Sequence, residues 1–283
     1  MALPAYASPL EKTWYYSFRI ICGAIFVFLI GPIFVILPLS FNAEPYFTFT
    51  PEMLSFDPAG YSLRWYEDFW NDSSWQQAVK NSFIIAIFAT LISTFLGTLA
   101  ALGLSRPEMP YRSMWMALLI SPMIVPLIIS AAGMYFFYSR IGLASTHVGV
   151  ILAHAVLGTP FVVITVTATM VGFDRSLIRA AQNMGANPTT TFFRIIVPLI
   201  LPGVISGGLF AFITSFDEVV VVLFVGSVEQ RTIPWAMFSG IREQISPTIL
   251  AVATILICIS VLLLLTLEWL RRRNEKLRGL SPG

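Results

Sequence analysis

Six stretches of this 283-residue chain contain no charged side chain: 20–43, 81–105, 113–139, 141–173, 195–216 and 244–267. Each can hold the roughly 20 apolar residues that a helix needs to cross a bilayer. In hydrocarbon the backbone must satisfy its own hydrogen bonds, so such runs fold as helices. The chain therefore reads as an all-α integral membrane protein with six transmembrane helices, near 20–41, 79–104, 113–138, 147–172, 192–226 and 246–270. Composition agrees. Charged residues make up 11% and hydrophobic residues 57%, whereas a soluble domain carries about 25% charged residues. Too little charge remains to cover a water-facing surface, which excludes an ordinary soluble enzyme and a disordered chain. The first run is too long and too aromatic for a cleaved signal, and it reads as a retained helix.

Basic residues set the orientation. The segment 1–19 carries Lys12 and Arg19, the second loop Arg106 and Arg112, the fourth loop Arg175, Arg179 and Arg194, and the tail 271–283 five more. Twelve of the 17 lysines and arginines thus fall on one side, leaving Arg64, Lys80, Arg140, Arg231 and Arg242 on the other. The lipid bilayer is the solvent, and both termini are expected in the cytoplasm, with the membrane domain over 20–270. The net charge of +2 gives no reason to invoke nucleic acid.

Prolines at 32, 38, 122, 126, 160, 198 and 202 interrupt the runs. They either shape the bundle or bend helices around a path. Gly203 and Gly207 form a GxxxG suited to close helix packing. Cys22 and Cys258 lie in apolar runs without metal or disulfide spacing. His147 and His154 lack further ligands and read as packing or interfacial histidines. No P-loop, HExxH or GxSxG occurs, so no catalytic residue and no metal site is expected.

The fourth loop carries a short amphipathic pattern. Asp174 or Ser176 can cap a helix over about 176–187, with Leu177, Ile178, Ala181 and Met184 on one side. Gly185 is the natural left-handed stop before Pro188. Such a helix either lies in the lipid interface or docks on a partner.

Asp217 and Glu218 interrupt the fifth run. An acidic residue at the centre of a spanning helix costs about 2.5–3.5 kcal/mol on insertion scales. One carboxylate is expected to line a water-filled path and the other to find a neighbour, with Asp217 the stronger path candidate. Alternatively both hydrate near the surface or pair with Arg231. Phe216, Tyr135 and Tyr138 are candidates for cation–π contacts to a cationic solute.

Arg179-Ala180-Ala181 with Gly185-Ala186, then Ile195, Val197-Pro198 and Pro202, resembles the EAA motif of importer permeases in the ATP-binding cassette superfamily. Arg179 stands where that family has its leading glutamate. Tyr61 to Tyr66, Asn81-Ser82, Ser215 to Val219, Thr232-Ile233-Pro234 and Ile245-Ser246-Pro247 extend the resemblance over nearly the whole chain. Within the family they are similar to the second permease subunit of spermidine/putrescine importers. The resemblance implies the type I importer permease fold and a heterodimer with a second permease. It implies two ATPase subunits carrying ATP and magnesium, and an extracytoplasmic solute-binding protein. It implies no cofactor on this chain. The helix near 176–187 then couples to the ATPase. Trp65, Tyr66, Arg231 and Trp235 are either docking residues for the binding protein or aromatic and basic anchors at the lipid interface.

Overall fold

A computed structural model of the chain describes residues 8–106, 108–171, 174, 176–243 and 246–277. Arg175, Ile245 and the ends 1–7 and 278–283 lie outside the described residues. The backbone divides into two compact units, Met1–Asp72 with Gly240–Gly283, and Ser73–Ser239.

In the first unit, α1 spans Pro9–Leu39. It begins within the expected tail because Ser8 and Glu11 form a reciprocal capping box and Pro9 occupies the first turn. A short α2 (Pro51–Leu54) and α3 (Arg64–Asn71) follow. Asn42 organises this loop. Its Nδ2 donates to the carbonyls of Tyr46 and Thr48, and its own carbonyl accepts from Trp65 Nε1 at 2.7 Å. α13 (Thr248–Leu277) packs on α1 and α3; its helix continues past 270, where the sequence pattern places the start of the tail.

The second unit begins with α4 (Ser73–Leu104). The run 113–138 is not one straight helix. α5 (Arg112–Ile124) and α6 (Leu127–Arg140) meet at 101°. Pro126 supplies no backbone donor, and Val125 before it is extended at ψ 134°. α7 (His147–Val171) is continuous through Pro160. α8 (Ser176–Asn183) and α9 (Pro188–Thr191) lead through a π-turn at Phe192–Ile196 into α10 (Val197–Phe216). The fifth run also departs from a single helix to 226: α10 stops at Phe216, and α11 (Val220–Val225) restarts after a three-residue break. α12 (Ile233–Glu243) follows.

α1, α4, α7 and the stretch Pro188–Phe216 are long and apolar enough to cross a membrane, and α5 with α6 makes a fifth span if the bent pair crosses once. α4, α7 and α10 pack closely through glycines. An added Cβ at Gly207 would stand 2.7 Å from Val162 Cα, and one at Gly158 would stand 2.9 Å from Ala211 Cβ. The GxxxG glycines thus sit against the neighbouring α7.

Candidate functional site: a cavity between two broken helices

The two breaks in the second unit converge. A cavity of about 370 Å³ is lined by Pro122 to Leu127 at the α5–α6 bend, by Leu157 and Phe161 of α7, and by Thr214 and Glu218. Non-helical backbone at membrane depth is stable only where it is covered by protein or lines a cavity. Both breaks here meet that condition at one place.

Glu218 is buried, whereas Asp217 is exposed. The break explains the difference. Asp217 is the C-terminal cap of α10, its amide donating to the Ile213 carbonyl at 3.0 Å. Glu218 turns inward, and its Oε1 accepts from the Val221 amide at 3.0 Å at the start of α11. The two carboxylates therefore do not occupy successive positions of one spanning helix. The cavity receives Glu218, not Asp217. The Asp217 side chain makes no hydrogen bond or ion pair with the described residues, and Arg231 instead donates from Nε to the Val228 carbonyl at 2.9 Å.

The aromatic candidates separate as well. Phe216 stacks on Phe212 and meets Phe83 edge-on, with ring centroids 5.6 and 5.3 Å away. Tyr138 is buried in the apolar cluster with Ile85, Val150 and Val221. Tyr135 is exposed and contacts Phe136 edge-on. Neither tyrosine lines the cavity with Glu218. What the sequence reading missed was the wall opposite the carboxylate: Pro122 and Pro126 were visible as breakers, but their partner across the cavity was not. His154, read as a packing or interfacial histidine, is buried, and its Nδ1 lies 2.8 Å from Ser215 Oγ beside the break.

α8 is shorter than the pattern over 176–187 suggests, about two turns. Asp174 starts it, accepting from the Ser176 amide and hydroxyl at 2.8 and 2.6 Å. These bonds, aided by the Arg179 charge, hold its carboxyl below the usual carboxylate range. Gly185 ends it at φ +84°. Its amide donates to the Gln182 carbonyl at 2.9 Å and the Ala186 amide to the Ala181 carbonyl at 3.0 Å, a Schellman closure. The apolar side divides. Ala181 is buried and Ile178 lines a second cavity with Met170, Phe192 and Ile196. Leu177 and Met184 are exposed, as are Arg179 and Ala180, while Ala186 is half-buried. α8 thus rests on the bundle by one edge and offers the other outward.

The proposed docking aromatics are mostly engaged within the chain. Trp65 is only 7% exposed, with Arg64 stacked 3.9 Å over its ring. A buried ring cannot act as a free docking side chain. Tyr66 shares a 2.7 Å hydrogen bond with Ser40 Oγ. Trp235 packs against the apolar cluster of the second unit.

Comparison with known proteins follows the same lines. Residues 93–276 match the family described as "Binding-protein-dependent transport system inner membrane component". The spermidine/putrescine transport system permease protein PotC of Haemophilus influenzae is 31% identical over 251 residues, covering 89% of this chain and 95% of that protein. The putrescine transport system permease protein PotI of Escherichia coli K12 is 31% identical, with 82% of each chain covered. Among solved structures, a bacterial ABC transporter for import of the acidic polysaccharide alginate matches with a TM-score of 0.70 at 15% identity, over 95% of this chain and 99% of that one.

Proposed function

Because the chain belongs to the family of binding-protein-dependent inner membrane components and is a permease subunit of an ATP-binding cassette importer, we propose that its cargo is a polyamine of the spermidine/putrescine class. The observation that carries this reading is the Glu218 carboxylate lining the cavity where both helix breaks meet. An ammonium group entering an apolar interior loses its hydration, and a carboxylate in the path offsets part of that cost. The names of the relatives point the same way.

In this reading the chain forms half of the path and a second permease completes it. Two ATPase subunits, holding ATP and magnesium, dock against the outward edge of α8, through Leu177, Arg179, Ala180 and Met184. Loaded solute-binding protein docks on the extracytoplasmic side, and both termini lie in the cytoplasm. The membrane chain lies in the path and hydrolyses nothing itself. The test is uptake into vesicles holding the complete importer, with spermidine, putrescine, neutral organic solutes and divalent cations offered singly and in competition. ATP-dependent spermidine or putrescine uptake supports the assignment. Uptake of a neutral solute or a metal ion, unaffected by polyamine, overturns it in favour of another cargo on the same architecture.

A further inference from the structure

Asn81 of α4 is 4% exposed and all its amide groups are engaged. Nδ2 donates to the carbonyls of Glu229 and Arg231 at 2.8 and 2.9 Å. Oδ1 lies 3.1 Å from His147 Nε2 at the start of α7. Both amide hydrogens are committed to carbonyls, which only accept. Oδ1 must therefore accept from His147, so Nε2 carries the proton whether the ring is neutral or charged. Two neighbours on α4 join in. Gln77 Nε2 donates to the Glu229 carbonyl at 3.0 Å, and Ser82 Oγ accepts from the Ile233 amide at 2.8 Å. From the loop before α7, the Ser145 amide donates to the Val225 carbonyl at 2.7 Å. The connection 225–233 is thus stitched to α4 and α7 by backbone groups whose partners are side chains or turns, not a regular ladder.

This connection is continuous with α11. Six residues of helix, about 9 Å long, separate the stitched segment from Glu218. Val221, Val222 and Val225 of α11 are almost fully buried, and Glu218 accepts from a first-turn amide. One face of this short helix is locked by those three valines while Leu223 and Phe224 are exposed, so displacing its C-terminal end should displace its first turn. We infer that Asn81 is a positioning residue for import: by holding the 229–231 carbonyls against α4 and α7 it fixes α11, and so fixes the Glu218 carboxylate in the cavity. The importance of Glu218 for the cargo rests on the function proposed above; the anchoring does not.

Two readouts separate these claims. In a chain carrying Cys22→Ser, Cys258→Ser and Glu218→Cys, the modification rate of the new thiol by a water-soluble reagent reports its placement without any solute. Asn81→Leu removes the Asn81 donor to the Arg231 carbonyl and one of the two donors to the Glu229 carbonyl, and is expected to change that rate roughly tenfold. In the chain retaining Glu218, Asn81→Leu should raise KM for spermidine uptake by a similar factor, with assembled importer and basal ATP hydrolysis unchanged. Asn81→Ser, which cannot span both carbonyls, should shift both readouts in the same direction and serves if the leucine variant fails to insert. An unchanged thiol rate in an assembled variant overturns the anchor. A changed thiol rate with unaltered polyamine uptake sustains the anchor and removes Glu218 from the path.

Discussion

The carboxylate of Glu218 accepts a 3.0 Å hydrogen bond from the backbone amide of Val221, so the acid that lines the cavity also satisfies a first-turn amide of the helix that follows it. Placement and structure are coupled in one side chain. Charge and hydrogen bonding can be separated by substitution, because glutamine retains the acceptor and loses the charge.

Glu218→Gln should therefore insert and assemble normally. Its loss is a charge-assisted contact of about 1.5–3 kcal/mol to an ammonium group, so polyamine uptake is expected to fall roughly tenfold or more. Glu218→Ala removes the acceptor as well and should cost about 0.5–2 kcal/mol of stability. Asp217→Asn, at an exposed position outside the cavity, should impair uptake less than Glu218→Gln. Uptake kinetics of the three variants at matched assembly decide the order; a larger defect for Asp217→Asn would place the path on the other carboxylate.

Gly185 has open space around it, with no atom within 4 Å of an added Cβ, but its φ is +84°. Any cost of substitution comes from the backbone alone, about 1–2 kcal/mol for an ordinary side chain. Gly185→Val should loosen the end of α8 and uncouple ATP hydrolysis from uptake in an importer that still assembles. Gly185→Asn, which tolerates the left-handed region, should couple almost normally. Hydrolysis stimulated by loaded binding protein, measured beside uptake, distinguishes them.

Asp174 gives α8 a defined acid sensitivity. Hydrogen bonds from the Ser176 hydroxyl and amide hold its folded value below the unfolded one. Its contribution is thus fully present above the ordinary carboxylate range and is lost as pH falls through the lowered value. Hydrogen exchange of the amides at 176–178 should stay flat from pH 8 to about 5 once corrected for intrinsic rates. Protection should decline below about pH 4. In Asp174→Asn that acid-dependent step should vanish.

The α7–α10 seam predicts a contrast between glycines. At Gly207 an added Cβ would stand 2.7 Å from Val162 Cα and closer still to Thr165 Oγ1. Gly207→Ala should cost about 1–3 kcal/mol by overpacking and lower the melting temperature of the purified importer. At Gly133 nothing lies within 4 Å, so Gly133→Ala should leave it unchanged.

Orientation is tested by thiol labelling in intact cells. A cysteine at Ser55 should react with an impermeant reagent from outside, and one at Asn274 should not. The reverse pattern would invert the assignment drawn from the twelve basic residues.

Much of this protein was legible from local chemistry. Runs without charge determine helices, because a backbone in hydrocarbon has no other way to pair its polar groups. Gly185 before Pro188 determined where α8 turns left-handed, since the cost of positive φ is local. Proline positions marked where helices can fail. They did not say which would: Pro160 sits inside an intact α7, while Pro126 accompanies a 101° bend. That choice depends on whether neighbours take up the freed backbone groups, which is a tertiary matter. The placement of the acidic pair was decided the same way. Sequence puts Asp217 and Glu218 side by side, and only the break after Phe216 sends one outward and the other into the cavity. Trp65, read as either a docking residue or an anchor at the lipid interface, is buried, and the Asn42 carbonyl, 23 residues earlier, receives its indole N–H. Burial and pairing across such distances are set by packing, and no local pattern encodes them.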